Sequence, residues 1–191
     1  MSRDRHRNDS VGDEIGDPPL ARALLHHTRA GWLWLPVRVS LGYEWLRTGL
    51  EQLRDPNWMD GTAVLAFWWD AVDAPGSADN ASAAYGWYRA LLLLVIDARA
   101  EELVARLVAF GEVAAGLGLV LGAFTGIAAF AGAFMNMSFM LAGTTASNPL
   151  MFVGAIGLML GWRVAGYYGL DRWILPSVGT PWPQPAPRPP G

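Results

Sequence analysis

Few charged residues interrupt the apolar stretch between Leu103 and Leu170: they are Arg106, Glu112 and Arg163. A carboxylate inside such a stretch must be protonated, paired with a cation or reached by water. Glu112 is therefore the strongest candidate for a group that accepts or releases a proton.

A second set of polar side chains lies in the apolar segment at residues 32–53. One helical face collects residues at spacings of three and four: Ser40, Glu44, Arg47 or Thr48, and Glu51. A different stripe carries Arg38 together with Gly42, Trp45 and Gly49. Neither face suits lipid, so we expect both to look into a helical bundle or towards water.

We predict that Glu112 belongs to a buried polar cluster. Counted from the outer ends of the expected helices, it lies near the depth of Glu44, Arg47 and Asn136. Arg38 and Arg163 share a level nearer the other end. We expect Arg47, Glu112 and Asn136 to meet, with Arg38 reaching towards them. The alternative is an ion pair that only fixes the register of the helices.

The elements that must position these groups are long helices. A helix crosses the hydrocarbon core of a bilayer in roughly 20 residues, and the chain is 52% hydrophobic and only 16% charged. We predict an all-α integral membrane four-helix bundle over residues 32–176. Its spans are expected at 32–53, 103–123, 126–143 and 150–168, with a tight turn joining the second to the third.

The segments outside the spans are expected to differ from one another. The outer connection, 54–102, contains two short apolar pieces that favour interfacial helices. The alternative is that Tyr85–Ile96 begins a longer helix that continues into the second span. Residues 1–31 are expected to form a largely disordered N-terminal tail, and 177–191 an extended proline-rich tail.

The basic residues predict an orientation. Five arginines precede the first span: Arg3, Arg5, Arg7, Arg22 and Arg29. Five aspartates follow it: Asp55, Asp60, Asp70, Asp73 and Asp79. The positive-inside rule then predicts a multi-pass protein of the plasma membrane with both termini in the cytoplasm. No basic stripe indicates nucleic-acid binding.

The composition restricts the cofactors. The chain has no cysteine, which excludes disulfides, thiolate metal sites and iron–sulfur ligation. Its three histidines, His6, His26 and His27, all precede the first span, so the bundle cannot hold a haem between two histidines. We expect no metal site. Redox chemistry would need a diffusible carrier or a partner subunit.

Three stretches of the chain carry a family resemblance: RVSLGYEWLRTGLEQL, FGEVAAGLGLVLGAFTGIAAFAGAFMNMSFMLAG and SNPLMFVGAIGLMLGWRVAGYYGLDRWILP. They resemble the DoxX/DoxD family of small four-span bacterial membrane proteins, over about Trp32 to Pro176. The marks of the resemblance are Arg38 with Gly42, the glycines around Glu112 (Gly111, Gly116 and Gly118), and Gly169-Leu170-Asp171. The chain has Gln52 where the family pattern leads us to expect a lysine.

This resemblance implies the membrane subunit of a thiosulfate:quinone oxidoreductase, with quinone as the cofactor. The polar cluster would then hydrogen-bond a quinone carbonyl and relay a proton. The catalytic residues would be Glu112, Arg47 and Arg38, and the residues binding quinone or substrate Asn136, Glu44, Arg163 and Trp45. The expected partners are the lipid bilayer and a second subunit or soluble redox enzyme, with self-association left open. The alternative function is a non-catalytic scaffold or accessory subunit of a redox or oxidative-stress complex.

Overall fold

The computed structural model describes residues 16–73, 85–144, 147–180 and 182, and every regular element in those ranges is helical. The all-α prediction is therefore confirmed. The helices are α1 Pro19–His26, α2 Gly31–Arg54, α3 Pro56–Met59, α4 Thr62–Asp73, α5 Gly86–Asp97, α6 Glu101–Leu121, α7 Thr125–Leu141, α8 Asn148–Leu160, α9 Trp162–Gly166 and α10 Asp171–Ser177.

The main bundle consists of α2, α6, α7 and α8, with α9 continuing beyond a break at Gly161. Successive members run antiparallel. Gly42 of α2 lies against Leu119 of α6, whereas Gly49, further along α2, lies against Val113. The order is up, down, up, down, so the start of α2 and the end of α9 share one end of the bundle.

Glycines bring α2 and α6 into backbone contact. A Cβ atom on Gly116 would lie 2.5 Å from the backbone nitrogen of Leu46, and one on Gly49 would lie 2.8 Å from that of Val113. Such close approach is typical of helices that associate through small residues. The evenly spaced Gly118, Gly122 and Gly126 do not form one such contact face, because α6 ends at Leu121.

The turn between α6 and α7 is tight, as the sequence predicts. Gly122 ends α6 in the left-handed conformation, with φ +66°, and Phe124 follows with φ +49°. The backbone N–H of Ala123 donates to the carbonyl oxygen of Gly118 at 2.8 Å, which closes the last turn of α6.

On α6 and α7, most of the buried residues are small, while large apolar residues cover the exposed surface. The buried positions of α6 and α7 are mostly alanine and glycine: Ala105, Ala109, Ala115, Gly116, Ala128, Ala129, Gly132 and Ala133. The exposed positions of the same helices include Leu103, Leu107, Phe110, Leu117, Leu121, Ile127, Phe130, Phe134 and Met137. Water-soluble proteins rarely expose apolar surface continuously over this many residues.

Helices α3, α4 and α5 pack on one end of this bundle and form a second apolar cluster with α6 and α7. The indole N–H of Trp58 donates to the carbonyl oxygen of Ala105 at 3.0 Å, and the Tyr88 hydroxyl donates to that of Ser138 at 2.8 Å. A break at Arg99, with φ +52°, separates α5 from α6. The alternative of one long helix running into the second span is therefore wrong.

Regular structure is described before the expected boundary at residue 31. Helix α1 precedes it, and the indole N–H of Trp34 donates to the carbonyl oxygen of Leu24 at 3.0 Å, which ties α1 to the bundle. Residues 1–15 and most of the proline-rich tail lie outside the described residues.

Within the described ranges, one helix, α6, is both long enough and apolar enough to cross a membrane. Three other apolar helices are shorter, at Thr62–Val72, Thr125–Leu141 and Asn148–Leu160.

Candidate functional site

Glu112 is buried between α2 and α6, with 3% of its surface exposed. The side chain of Gln52, near the end of α2, is within hydrogen-bonding reach of the carboxyl group. Two atoms of this pair, Oε2 of Glu112 and Oε1 of Gln52, have no hydrogen-bond partner within the part of the chain that the structure describes. A buried polar atom without a partner is costly, so it is informative about function when it persists.

The predicted cluster around Glu112 does not form. Arg47 lies on the outer surface of α2, where it pairs with Glu44 at 3.1 Å and with Glu51 at 2.9 Å. The cause is the rotation of α2 about its own axis. The face of α2 that carries Gly42 and Gly49 packs against α6. Arg47, five residues after Gly42, therefore points away from that contact.

The other predicted site residues make contacts elsewhere in the bundle. Asn136 is buried and donates from Nδ2 to the carbonyl oxygen of Asn148 at 3.4 Å, which links the end of α7 to the start of α8. Trp45 is buried against Gly132 of α7. The guanidinium carbon of Arg163 lies 5.7 Å from the ring centre of Trp182. None of these contacts reaches Glu112.

Arg38 belongs to a second polar site at the other end of the bundle. Its side chain is 1% exposed and donates from Nη2 to the carbonyl oxygen of Tyr168 at 3.3 Å. Its guanidinium group packs against Gly122 and Gly169, where any Cβ atom would collide with Nη1. Arg38 therefore does not reach towards Glu112, contrary to the prediction.

Asp171 supplies the negative charge of this second site. Its carboxylate is fully buried and accepts hydrogen bonds from the backbone N–H groups of Phe124, at 2.6 Å, and Thr125, at 2.9 Å. It thereby caps the N-terminus of α7, and it interacts electrostatically with Arg38. The sequence predictions gave Asp171 no role. One feature of the sequence could have pointed to such a residue. Phe124, at the N-cap position of α7, has no side-chain oxygen, so the first N–H groups of α7 need an acceptor from elsewhere in the chain.

An apolar groove of about 610 Å³ runs along α6 and α7 and is covered in part by α4 and α5. On α7 it extends from Ile127 to Phe139, which corresponds to about 18 Å of helix. Three polar groups of its lining already donate to backbone carbonyl oxygens: the Trp58 indole, the Tyr88 hydroxyl and the Ser138 hydroxyl. The groove therefore suits a hydrocarbon chain better than a polar head group.

Glu112 lies near the groove lining along α6. Val108, one helical turn before Glu112, lines the groove, as does Met135. The Met135 sulfur lies 3.3 Å from the position of a Cβ atom on Gly111, the residue next to Glu112. The flexible thioether side chain of Met135 therefore lies beside the residue that precedes Glu112.

Comparisons of this chain with protein-family models, with curated proteins and with solved structures give no match. Within the ranges that the structure describes, no group of three acidic or histidine side chains is arranged to hold a metal ion. The features available for a functional proposal are the groove, the Glu112–Gln52 pair and the buried Arg38–Asp171 site.

Proposed function

We propose that this chain is an integral membrane protein that crosses the plasma membrane four times, through α2, α6, α7 and the α8–α9 pair. The observation that carries this proposal is the distribution of side-chain size on α6 and α7, where mostly alanine and glycine face inwards and leucine and phenylalanine face outwards. Lipid is the solvent that accepts such an exterior, and small residues are what close helix packing in lipid requires.

Helix lengths support the same proposal. Helix α2 has 24 residues and α6 has 21, equivalent to about 36 Å and about 32 Å. Both suffice for a hydrocarbon core of about 30 Å. Helix α7 and the α8–α9 pair are somewhat shorter. The antiparallel order leaves the start of α2 and the end of α9 on one side, and we infer from the arginines before α2 that this side faces the cytoplasm.

We further propose that the protein is the membrane subunit of a quinone-linked oxidoreductase, as its resemblance to the DoxX/DoxD family implies. The groove would hold the isoprenoid tail of the quinone. The quinone ring would lie beside Gly111 and Met135. Reduction to quinol takes up two electrons, which a second subunit would deliver from thiosulfate, and two protons. Glu112 would donate one proton once the flexible Met135 side chain moves aside, solvent would supply the other, and Gln52 would orient the carboxyl group.

The unpartnered carboxyl oxygen of Glu112 supports this assignment, because the group has capacity for a further hydrogen bond. The proposal no longer includes Arg47, Glu44, Arg38, Asn136, Arg163 or Trp45 among the residues that contact quinone. Each of them has partners elsewhere or packs away from Glu112. Any thiosulfate chemistry is assigned to a second subunit, since this chain has neither cysteine nor an intramembrane histidine.

The test separates quinone binding from turnover. We expect Glu112→Gln to retain co-purifying quinone but to lose thiosulfate-dependent quinone reduction in membranes. The control is Glu102→Gln, an exposed glutamate on the same helix. Ala131→Trp, inside the groove, should lose bound quinone, whereas Ala114→Trp on the exposed surface of α6 should retain it. Unchanged turnover in Glu112→Gln, or unchanged quinone in Ala131→Trp, would contradict the proposal.

A second candidate function is an accessory subunit that recruits a soluble redox enzyme. It is favoured by the lining of the groove, where the Tyr88 and Ser138 hydroxyls already donate to backbone carbonyl oxygens rather than being free for a quinone carbonyl. A stoichiometric partner that co-purifies without quinone would support this function over the first.

A further inference from the structure

One face of α2 carries four exposed or half-exposed charges in alternating sign: Glu44, Arg47, Glu51 and Arg54. We call these residues the charged face. The Arg47 side chain is 47% exposed although it pairs with Glu44 and Glu51, whose side chains are 45% and 60% exposed. Much of the polar surface of these groups therefore remains uncovered.

The charged face extends deep into the proposed membrane region, and the inference rests on the membrane insertion proposed above. Ten residues separate Glu44 from Arg54, equivalent to about 15 Å along the helix. If Arg54 lies at the outer interface, Glu44 lies near the middle of the hydrocarbon core. Charged groups at that depth face protein or water rather than lipid.

We propose that the charged face packs against the same face of a second copy of this chain. In a membrane, a two-fold axis along the bilayer normal makes the two copies of α2 parallel. Identical residues of the two copies then lie at the same depth in the bilayer. The alternating signs then allow Arg47 of one copy to lie between Glu44 and Glu51 of the other, and the reverse.

The neighbouring residues fit this arrangement. Ser40 and Thr48 flank the charges on the same side of α2, and both are small enough for close helix approach. The face continues towards the start of α2 through Leu33 and Val37, which are 63% and 36% exposed and supply apolar contact for the same interface. Neighbouring levels of the face carry opposite signs, so the long Arg47 side chain of one copy can reach Glu44 or Glu51 of the other about one helical turn away.

Disulfide crosslinking in native membranes tests the proposal, since the chain contains no cysteine of its own. We expect Ser40→Cys to form a disulfide-linked dimer of this chain upon mild oxidation. The control is Val153→Cys, an exposed position on α8 beside Gly154, which lies against Leu41 of α2 and is therefore at the depth of Ser40. This control should remain monomeric.

A charge exchange provides a second test that does not depend on oxidation. We expect Arg47→Glu, and separately the double substitution Glu44→Arg with Glu51→Arg, each to abolish self-association. When the Arg47→Glu variant and the double variant are co-expressed with different tags, we expect the two to associate with each other. This rescue distinguishes contacts between copies from the pairs within one helix, which both variants lose.

Three results would overturn the proposal: no crosslink at Ser40, labelling of Ser40→Cys by a membrane-impermeant maleimide, or a crosslink to a different protein. Alkaline carbonate extraction of the same membranes separates this failure from failure of the membrane assignment. Chains that resist extraction but do not crosslink disprove the dimer alone, whereas chains that carbonate releases disprove the membrane assignment.

Discussion

The carboxylate of Asp171 accepts a hydrogen bond from the backbone N–H of Thr125 at 2.9 Å, joining two residues that lie 46 positions apart. The same carboxylate binds the N–H of Phe124. We expect Asp171→Asn to lower the free energy of unfolding by about 1–3 kcal/mol, because an amide group offers one acceptor oxygen and leaves a buried N–H unsatisfied.

The measurement for Asp171→Asn is unfolding in mixed detergent micelles, followed by circular dichroism. Asp97→Asn is the control, since Asp97 is exposed at the end of α5. Equal stability of the two variants would show that the buried carboxylate does not hold the turn between α6 and α7.

Arg38 and Asp171 are expected to depend on each other. Removing one charge alone leaves the other buried without compensation, which is more costly than removing both. We expect the double variant Arg38→Met with Asp171→Asn to lose less stability than the sum of the two single variants. A double-mutant cycle in the same unfolding assay measures the difference. Strict additivity would mean that the two charges do not interact.

Gly122 is expected to tolerate no side chain. Gly122→Ala places a Cβ atom on a residue with φ +66° and against the Arg38 guanidinium group. Gly179→Ala is a matched control, because Gly179 has φ +88° but open space around it. Both variants bear the cost of a left-handed backbone, about 1–2 kcal/mol. We expect Gly122→Ala to lose about 1–3 kcal/mol more, from overpacking, and similar losses would argue against the close contact.

Gly116 should be the most sensitive position of the contact between α2 and α6. Gly116→Ala forces the backbone of α2 away, and we expect a loss of about 1–3 kcal/mol in unfolding free energy. Gly111→Ala in the same helix meets only the movable sulfur of Met135. It should be neutral or stabilising by up to about 1 kcal/mol, the intrinsic helical preference of alanine over glycine. The reverse order of stabilities would refute the packing described for α2.

The sequence predicted the helices well where apolar length decides them. Helix α2 was expected at 32–53 and runs from Gly31 to Arg54, and the tight turn before α7 lies where it was expected. These features depend on local sequence: an unbroken apolar stretch and a glycine able to adopt positive φ.

The arrangement of the polar residues was predicted less well, because it depends on which face of a helix meets its neighbour. The expectation that charges look inwards assigned Arg47 to the interior, whereas Gly42 and Gly49 decide the contact face of α2. The role of Asp171 was missed for a different reason. Its partners lie 46 and 47 positions earlier in the chain. A contact between residues so far apart cannot be predicted from a local sequence pattern.

The link from Asp171 to the start of α7 also has a consequence for biosynthesis. Helices α6 and α7 are synthesised before residue 171, so the two amide groups at the start of α7 lack their acceptor until α10 folds. Assembly of the described helices is thus completed by α10, and chains truncated ahead of that helix should be degraded faster in the cell.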